Sequence, residues 1–173
     1  MKRRYTAPEP STLLFRRIEL GRLVLVMEIR VLEPGDADVL GTIAEDVFDD
    51  PLDPRATSEF LRDPRHHIVV AIDTGVVVGF ASAVHYVHPD KTSPELWINE
   101  VGVAPTHQGR GIGKAILHKL LEHARDLGCA EAWVLTDRTN QGAVRLYEAS
   151  GGIEAASGDV IEFPLNGNDP ERR

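Results

Sequence analysis

"ELWINEVGVAPTHQGRGIGKAIL", residues 95–117, decides how this chain folds. Its first half has strand character, but the apolar phase slips. Leu96 and Ile98 share one face of a regular strand, and Val101 and Val103 fall on the other. One extra residue near Asn99–Glu100 restores a single apolar face, so a β-bulge is expected there. A bulge leaves backbone groups unpaired and opens a gap that an extended ligand can enter by strand-like pairing. A strand buried on both faces is the plainer alternative. In the second half, Gly109, Gly111 and Gly113 lie within five residues. Ile112, Ile116, Leu120, Ala124 and Leu127 then recur at helical spacing. The glycines therefore open a helix, where N–H groups are free and carry partial positive charge. Glycines let an anionic group come close to those N–H groups, and Arg110 and Lys114 add charge beside them. This reads as a pyrophosphate cradle between a strand and a helix. A plain turn is the alternative. Walker and dinucleotide loops fit less well, because Lys114 is followed by Ala115 and the glycine spacing differs.

Working outward, the chain reads as alternating strands and helices. Strands are expected at 28–32, 67–73, 76–87, 95–104, 130–137 and 159–165, and helices at 33–50, 54–63, 111–128 and 140–150. A tight turn at Thr74–Gly75 joins the second and third strands. The fold class is a mixed α/β sandwich of about 145 residues. Three regions are expected: a loosely attached extension over 1–26, one domain over 27–166 and a polar tail over 167–173.

The 173 residues suit one domain with a sizeable core. No apolar run reaches the roughly 20 residues of a membrane helix. The lone Cys129 forms no internal disulfide, and a cytoplasmic location is expected. Residues 28–173 hold thirteen basic and twenty-five acidic residues, a net charge of −12. Such a body repels nucleic acid and attracts cations. Seven histidines are present, but no pair shows metal-ligand spacing: His118 and His123 are five apart on a helix, and His85 and His88 face opposite sides of a strand end. No metal is expected.

"VGVAPTHQGRGIGKAILHKLLEHARDLG" resembles the acetyl-CoA-binding segment of the GNAT N-acetyltransferases, with Gln108, Gly109, Gly111 and Gly113 in the signature Gln/Arg-x-x-Gly-x-Gly/Ala. "TNQGAVRLYEASGG" resembles the family's next segment through Asn140, Ala143 and Tyr147. The resemblance covers about residues 28–165. It implies a central mixed, mostly antiparallel sheet whose fourth and fifth strands splay around the pantetheine arm of acetyl-CoA. Within the superfamily the chain is most similar to aminoglycoside 3-N-acetyltransferases, through "VFDDPLDPRATSEFLRDPRHHIVVA", "VVGFASAVHYVHPDK" and "ELWINEVGVAP". That likeness implies a cationic primary amine as acceptor and, from family habit, a homodimer. Another small amine or polyamine, or a protein N-terminus or lysine, is the alternative acceptor. A non-catalytic acyl-CoA sensor is a more remote one.

The chemistry needs a neutral amine, so a carboxylate at the bulge suits a general base, and Glu100 stands there. Tyr147, by resemblance facing the sulfur, suits a donor to the departing thiolate; its plainer reading is a core aromatic. Donor binding is expected from Val101, Gly102, Val103, Gln108, Gly109, Arg110, Gly111, Ile112, Gly113, Lys114, Asn140 and Ala143, with Asn140 serving equally well as a helix cap. The backbone N–H groups of Val101 and Val103 are expected to meet the pantetheine amides, and one of them to polarise the thioester carbonyl. By resemblance, the acidic run Glu45, Asp46, Asp49, Asp50 and Asp53 borders the acceptor site. Asp49, Asp50, Asp53, Tyr86, Glu100 and Asp137 are the acceptor-binding candidates, and a solvated acidic face is the alternative for the run.

Overall fold

The computed structural model describes residues 13–15 and 27–154. Most of the extension expected over 1–26, the strand expected at 159–165 and the tail at 167–173 lie outside the described residues. Six strands form one sheet in the order β1 to β6: Leu13–Phe15, Met27–Val31, His66–Asp73, Val76–Tyr86, Glu95–Val103 and Glu131–Val134. All neighbours are antiparallel except β5 and β6, which run parallel. A parallel pair needs a long crossover, and helix α2 (Ile112–Asp126) supplies it. Helix α1 (Pro54–Arg62) precedes β3, and α3 (Gln141–Ala149) follows β6.

Alternation along the strands gives the sheet two buried faces. On one, Ile29, Val69, Ala71, Ala83, Leu96 and Ile98 pack under Ile112, Ile116, Leu117, Leu120 and Ala124 of α2. On the other, Ile68, Val70 and Phe80 meet Leu40, Val47 and Leu61 from the segment 37–62. Truncating a fully buried residue such as Leu120 to Ala costs about 2–5 kcal/mol.

The helix expected over 33–50 does not form as such. One 3-10 segment spans Ala37–Gly41, and Asp46 adopts a positive φ of 58°. Two causes are visible. Ala44 donates its N–H to the Val77 carbonyl, and Val77 donates its own to Thr42, so the backbone of 42–44 pairs with the sheet instead of with itself. A register shift between Ala71 and Ile72 leaves Val78 as an extra residue in β4, beside that pairing. The apolar spacing that imitates a helix instead lets the segment drape Leu40 and Val47 over the sheet.

Candidate active site

The bulge in β5 lies where the phase slip places it. Ser82 pairs with Glu100 and Ala83 with Ile98, so Asn99 is the extra residue. Below it, Leu96 and Ile98 face α2. Above it, Val101 and Val103 face the same way, packed against that core. Glu100 and Gly102 are turned to the opposite face. Gly102 has no room for a side chain: a Cβ there would stand 2.3 Å from the Val47 carbonyl oxygen and 2.7 Å from the Phe80 ring.

Pairing between β5 and β6 ends at Ile98 and Val134. Past that point β5 has no neighbour on its β6 side among the described residues. Ala104 donates its N–H to Val78 on β4 at 2.9 Å. Backbone groups alternate sides along a strand, so Gly102 also points toward β4, whereas Val101 and Val103 present N–H and C=O to the gap. The Val103 carbonyl accepts a hydrogen bond from the Gln108 side-chain amide at 3.0 Å, which ties the glycine loop to the strand.

The loop then enters α2 through Gly111, whose φ of 79° is left-handed backbone that strains any other residue. No side chain caps this helix start. The first intrahelical bond is Ala115 N–H to the Gly111 carbonyl, at 3.0 Å. The N–H groups of Ile112, Gly113 and Lys114 therefore lack an intrahelical acceptor. Space above Gly109 and Gly111 is open, since an added Cβ meets nothing within 4 Å at either position. Gly113 serves another purpose: its missing side chain lets Leu146 of α3 approach.

These elements enclose a cavity of about 610 Å³ lined by Val101, Val103, Gln108, Gly109, Gly111, Ile112, Gly113, Lys114, Asn140, Ala143 and Tyr147. Eleven expected residues thus come together. Gly102 and Arg110 do not line it; Arg110 is exposed. Asn140 caps α3, accepting from Ala143 N–H at 3.1 Å, and lines the cavity as well. Four further liners were not anticipated: His107, Gly142, Arg145 and Leu146. His107 is held by Asp73 at 3.3 Å and by Thr106 at 2.8 Å. Nothing in the spacing of His107 or Arg145 separates them from ordinary surface residues.

Tyr147 and Glu100 flank the gap from opposite faces of the sheet. Tyr147 packs against the α2-side core, and burial raises its pKa. Glu100 is exposed on the other face, yet partial desolvation, and then the Asp49 carboxylate, push its pKa above the ordinary glutamate value. Asp49 and Asp50 line a shallow depression with Ile43 and Phe48, and Phe48 stacks on Phe80.

The other acidic candidates are engaged locally. Asp53 caps α1, accepting from Ala56 N–H at 2.7 Å. Asp137 accepts from the Thr139 N–H and hydroxyl at 2.7 and 2.8 Å, and the backbone bond first and the hydroxyl second hold its pKa down. Tyr86 donates its hydroxyl to Glu95 at 2.9 Å.

Three histidines far apart in sequence meet on the α2 side. His67 joins His85 through Nε2 at 2.8 Å and His123 through Nδ1 at 3.0 Å. Because His67 uses a different nitrogen for each neighbour, the three rings do not converge on one point. Among the described residues no group of three or more His, Cys, Asp or Glu is placed to hold a metal ion. No helix among them is long and apolar enough to cross a membrane.

Residues 37–152 match the family model of the acetyltransferase (GNAT) family. The chain belongs to the GNAT acetyltransferase family. It is therefore an N-acetyltransferase, and acetyl-CoA is the family's donor. The donor fits this cavity: free N–H groups stand at the start of α2, side-chain-free space lies above Gly109 and Gly111, and strand groups face the gap. This GNAT chain is 36% identical to N-alpha-acetyltransferase RimI of Mycobacterium tuberculosis over 126 residues, which is 71% of this chain and 76% of that protein. N-acetyltransferase 8 of Rattus norvegicus is 33% identical over 95 residues, 55% of this chain but only 43% of that protein. Among solved structures, an aminoglycoside acetyltransferase from an uncultured soil metagenomic sample superposes with a TM-score of 0.68 at 19% identity, covering 81% of this chain and 95% of that one. Aminoglycoside N-acetyltransferase AAC(6')-Iy in complex with CoA gives 0.63 at 22% identity, covering 80% and 95%. At those identities the structures support the GNAT fold, and the aminoglycoside 3-N specificity expected from the sequence is not established by them.

Proposed function

We propose that this GNAT chain moves the acetyl group of acetyl-CoA directly to a primary amine of a cationic small molecule, with an aminoglycoside as the leading acceptor. The observation that carries the reading is the arrangement around the β5–β6 gap: an uncapped helix start and Tyr147 on one side, and Glu100 beside the acidic segment on the other. The N–H groups of Ile112, Gly113 and Lys114 take the pyrophosphate. Val101 and Val103 pair with the pantetheine arm through the groups they turn to the gap. Glu100 accepts the proton of the incoming ammonium, directly or through water, and its raised pKa makes it a better match for that task. The amine nitrogen then bonds to the acetyl carbon as the carbon–sulfur bond breaks, and the nitrogen gives up a second proton, which balances the one that the leaving thiolate takes up. Tyr147 donates a hydrogen bond or a proton to the leaving sulfur.

The sequence resemblance points to a 3-amino group, whereas one structural relative bears the 6' designation; product analysis decides the position. A protein N-terminal amine is the second reading, favoured by the likeness to N-alpha-acetyltransferase RimI. The test is thiol release from acetyl-CoA with aminoglycosides, spermidine and short peptides bearing free N-termini. Turnover of an aminoglycoside supports the first reading. Turnover of peptides alone replaces it with the second. Tyr147→Phe is expected to lower turnover about 10- to 100-fold and leave CoA binding intact; a wild-type rate removes Tyr147 from the chemistry.

A further inference from the structure

The face of β5 that carries Glu100 carries more than an acid. Ser82 opposes Glu100 and Val84 opposes Trp97, so Trp97 is the next side chain along β5 whose register matches that face. The step is two residues of β4, about 7 Å. Trp97 in turn opposes Trp133 across the parallel pair, and the two rings stack with centroids 5.3 Å apart at an angle of 4°. Trp133 is fixed from behind. Its indole N–H donates to the Tyr86 hydroxyl at 2.6 Å, and that hydroxyl donates to Glu95. Glu95 is 5% exposed and also accepts from Lys91, whose charge offsets its own. Trp97 is the outer ring and is 38% exposed. Carboxylates border the pair on the same face: Glu100 at one end, with Asp49 near it, and Glu131 opposite Glu95 at the other.

We propose that the stacked Trp97–Trp133 pair is an aromatic wall of the acceptor site that holds a second ammonium group while Glu100 receives the reacting one, so that diamines and polyamines are preferred to monoamines. The proposal rests on the reading of Glu100 as the acceptor-side base. An ammonium over an indole face is attracted by the ring quadrupole, most strongly at tryptophan. A purely apolar occupant is disfavoured by carboxylates on both sides, which would lose water without gaining a partner. A cation satisfies the ring and the carboxylates together. The chain from Trp133 through Tyr86 to the Lys91-neutralised Glu95 keeps the wall in place without adding an uncompensated charge.

The test compares pentane-1,5-diamine, whose nitrogens span about the required distance, with pentylamine. Each is titrated calorimetrically into full-length protein saturated with CoA, and kcat/KM with acetyl-CoA is measured in parallel. The diamine is expected to bind about three- to tenfold more tightly than the monoamine. Trp97→Leu should remove most of that preference and leave CoA affinity unchanged, while Trp97→Phe should retain part of it. Equal affinity for the two amines, no binding of either, or a preference that survives Trp97→Leu overturns the wall. If aminoglycosides or peptides are turned over under those outcomes, the acetyl-transfer reading stands and only the wall falls. If the diamine binds through Trp97 but no amine is acetylated, the wall stands and the transfer reading falls.

Discussion

Glu100 occupies a position where two requirements meet. It stands one residue past the bulge, turned away from the core, close enough to Asp49 and partly enough desolvated for its pKa to rise. In the proposed mechanism the active form is the carboxylate, so kcat/KM should fall as pH drops through that raised pKa. Glu100→Gln should lower turnover by about 10²-fold or more and abolish this acid limb, which a pH profile of both proteins checks. An unchanged profile would remove Glu100 as the base. The position of Glu100 was legible because the phase slip from Ile98 to Val101 has few explanations. Asp53 and Asp137 were harder to read. A carboxylate that caps a helix start or closes a tight turn is the same residue type that binds an amine, and only the hydrogen bonds to Ala56 and Thr139 tell them apart. His107 and Arg145 reach the cavity through tertiary packing, which leaves no periodic mark on the sequence.

At the scale of elements, α1, α2, α3 and the central strands follow their apolar spacing, whereas the segment 33–50 does not. Helical periodicity reports which side chains are buried. It cannot report that Val77 takes over the backbone bonds of 42–44. The union of that segment with β5 depends on Gly102, and Gly102→Val should destabilise the fold by about 2 kcal/mol or more through overpacking against Val47 and Phe80. Urea denaturation measures this, and a loss under 0.5 kcal/mol would mean the segment yields freely. The imidazole chain ties β3, β4 and α2 together. Burial first, then the charges of His123, His85 and His66, lower the pKa of His67 to about 3. For a depressed folded pKa, the associated stability is present above the unfolded value of about 6.5 and is lost as pH falls toward 3. His67→Phe should flatten the decline of Tm between pH 6.5 and 4, whatever it costs at neutral pH. A slope equal to wild type would place the acid sensitivity elsewhere.

For the whole molecule, charge and catalysis point the same way. A body of net −12 over residues 28–173 draws cations from a distance, and salt screens that attraction over about 8–10 Å at ordinary ionic strength. The kcat/KM for a polycationic acceptor should therefore fall several-fold between 20 and 300 mM salt, with kcat nearly constant. A salt-independent kcat/KM would show that the acidic surface serves solubility instead. The fold class and the residues gathered around the start of α2 could be read from the chain because both are written locally, in glycine spacing and amphipathic helices. The acceptor could not, because the site proposed for it draws on β4, β5, β6 and the 43–52 segment, whose meeting is a product of the sheet.

The strand β5 is shared property. One of its sides belongs to the α2 core and the cavity beside it, and the other carries Glu100 and Trp97, where we propose that the acceptor binds. Asn99, the single supernumerary residue, is what lets Leu96 and Val101 belong to the same side. The two sides are thereby free to accumulate change independently. On the proposed reading, substitutions at Trp97 retune which amine is chosen and leave donor capture alone, whereas substitutions at Val101 or Val103 disturb the cavity that they line. Deleting Asn99 would remove that independence, because each later residue of the strand would exchange its owner.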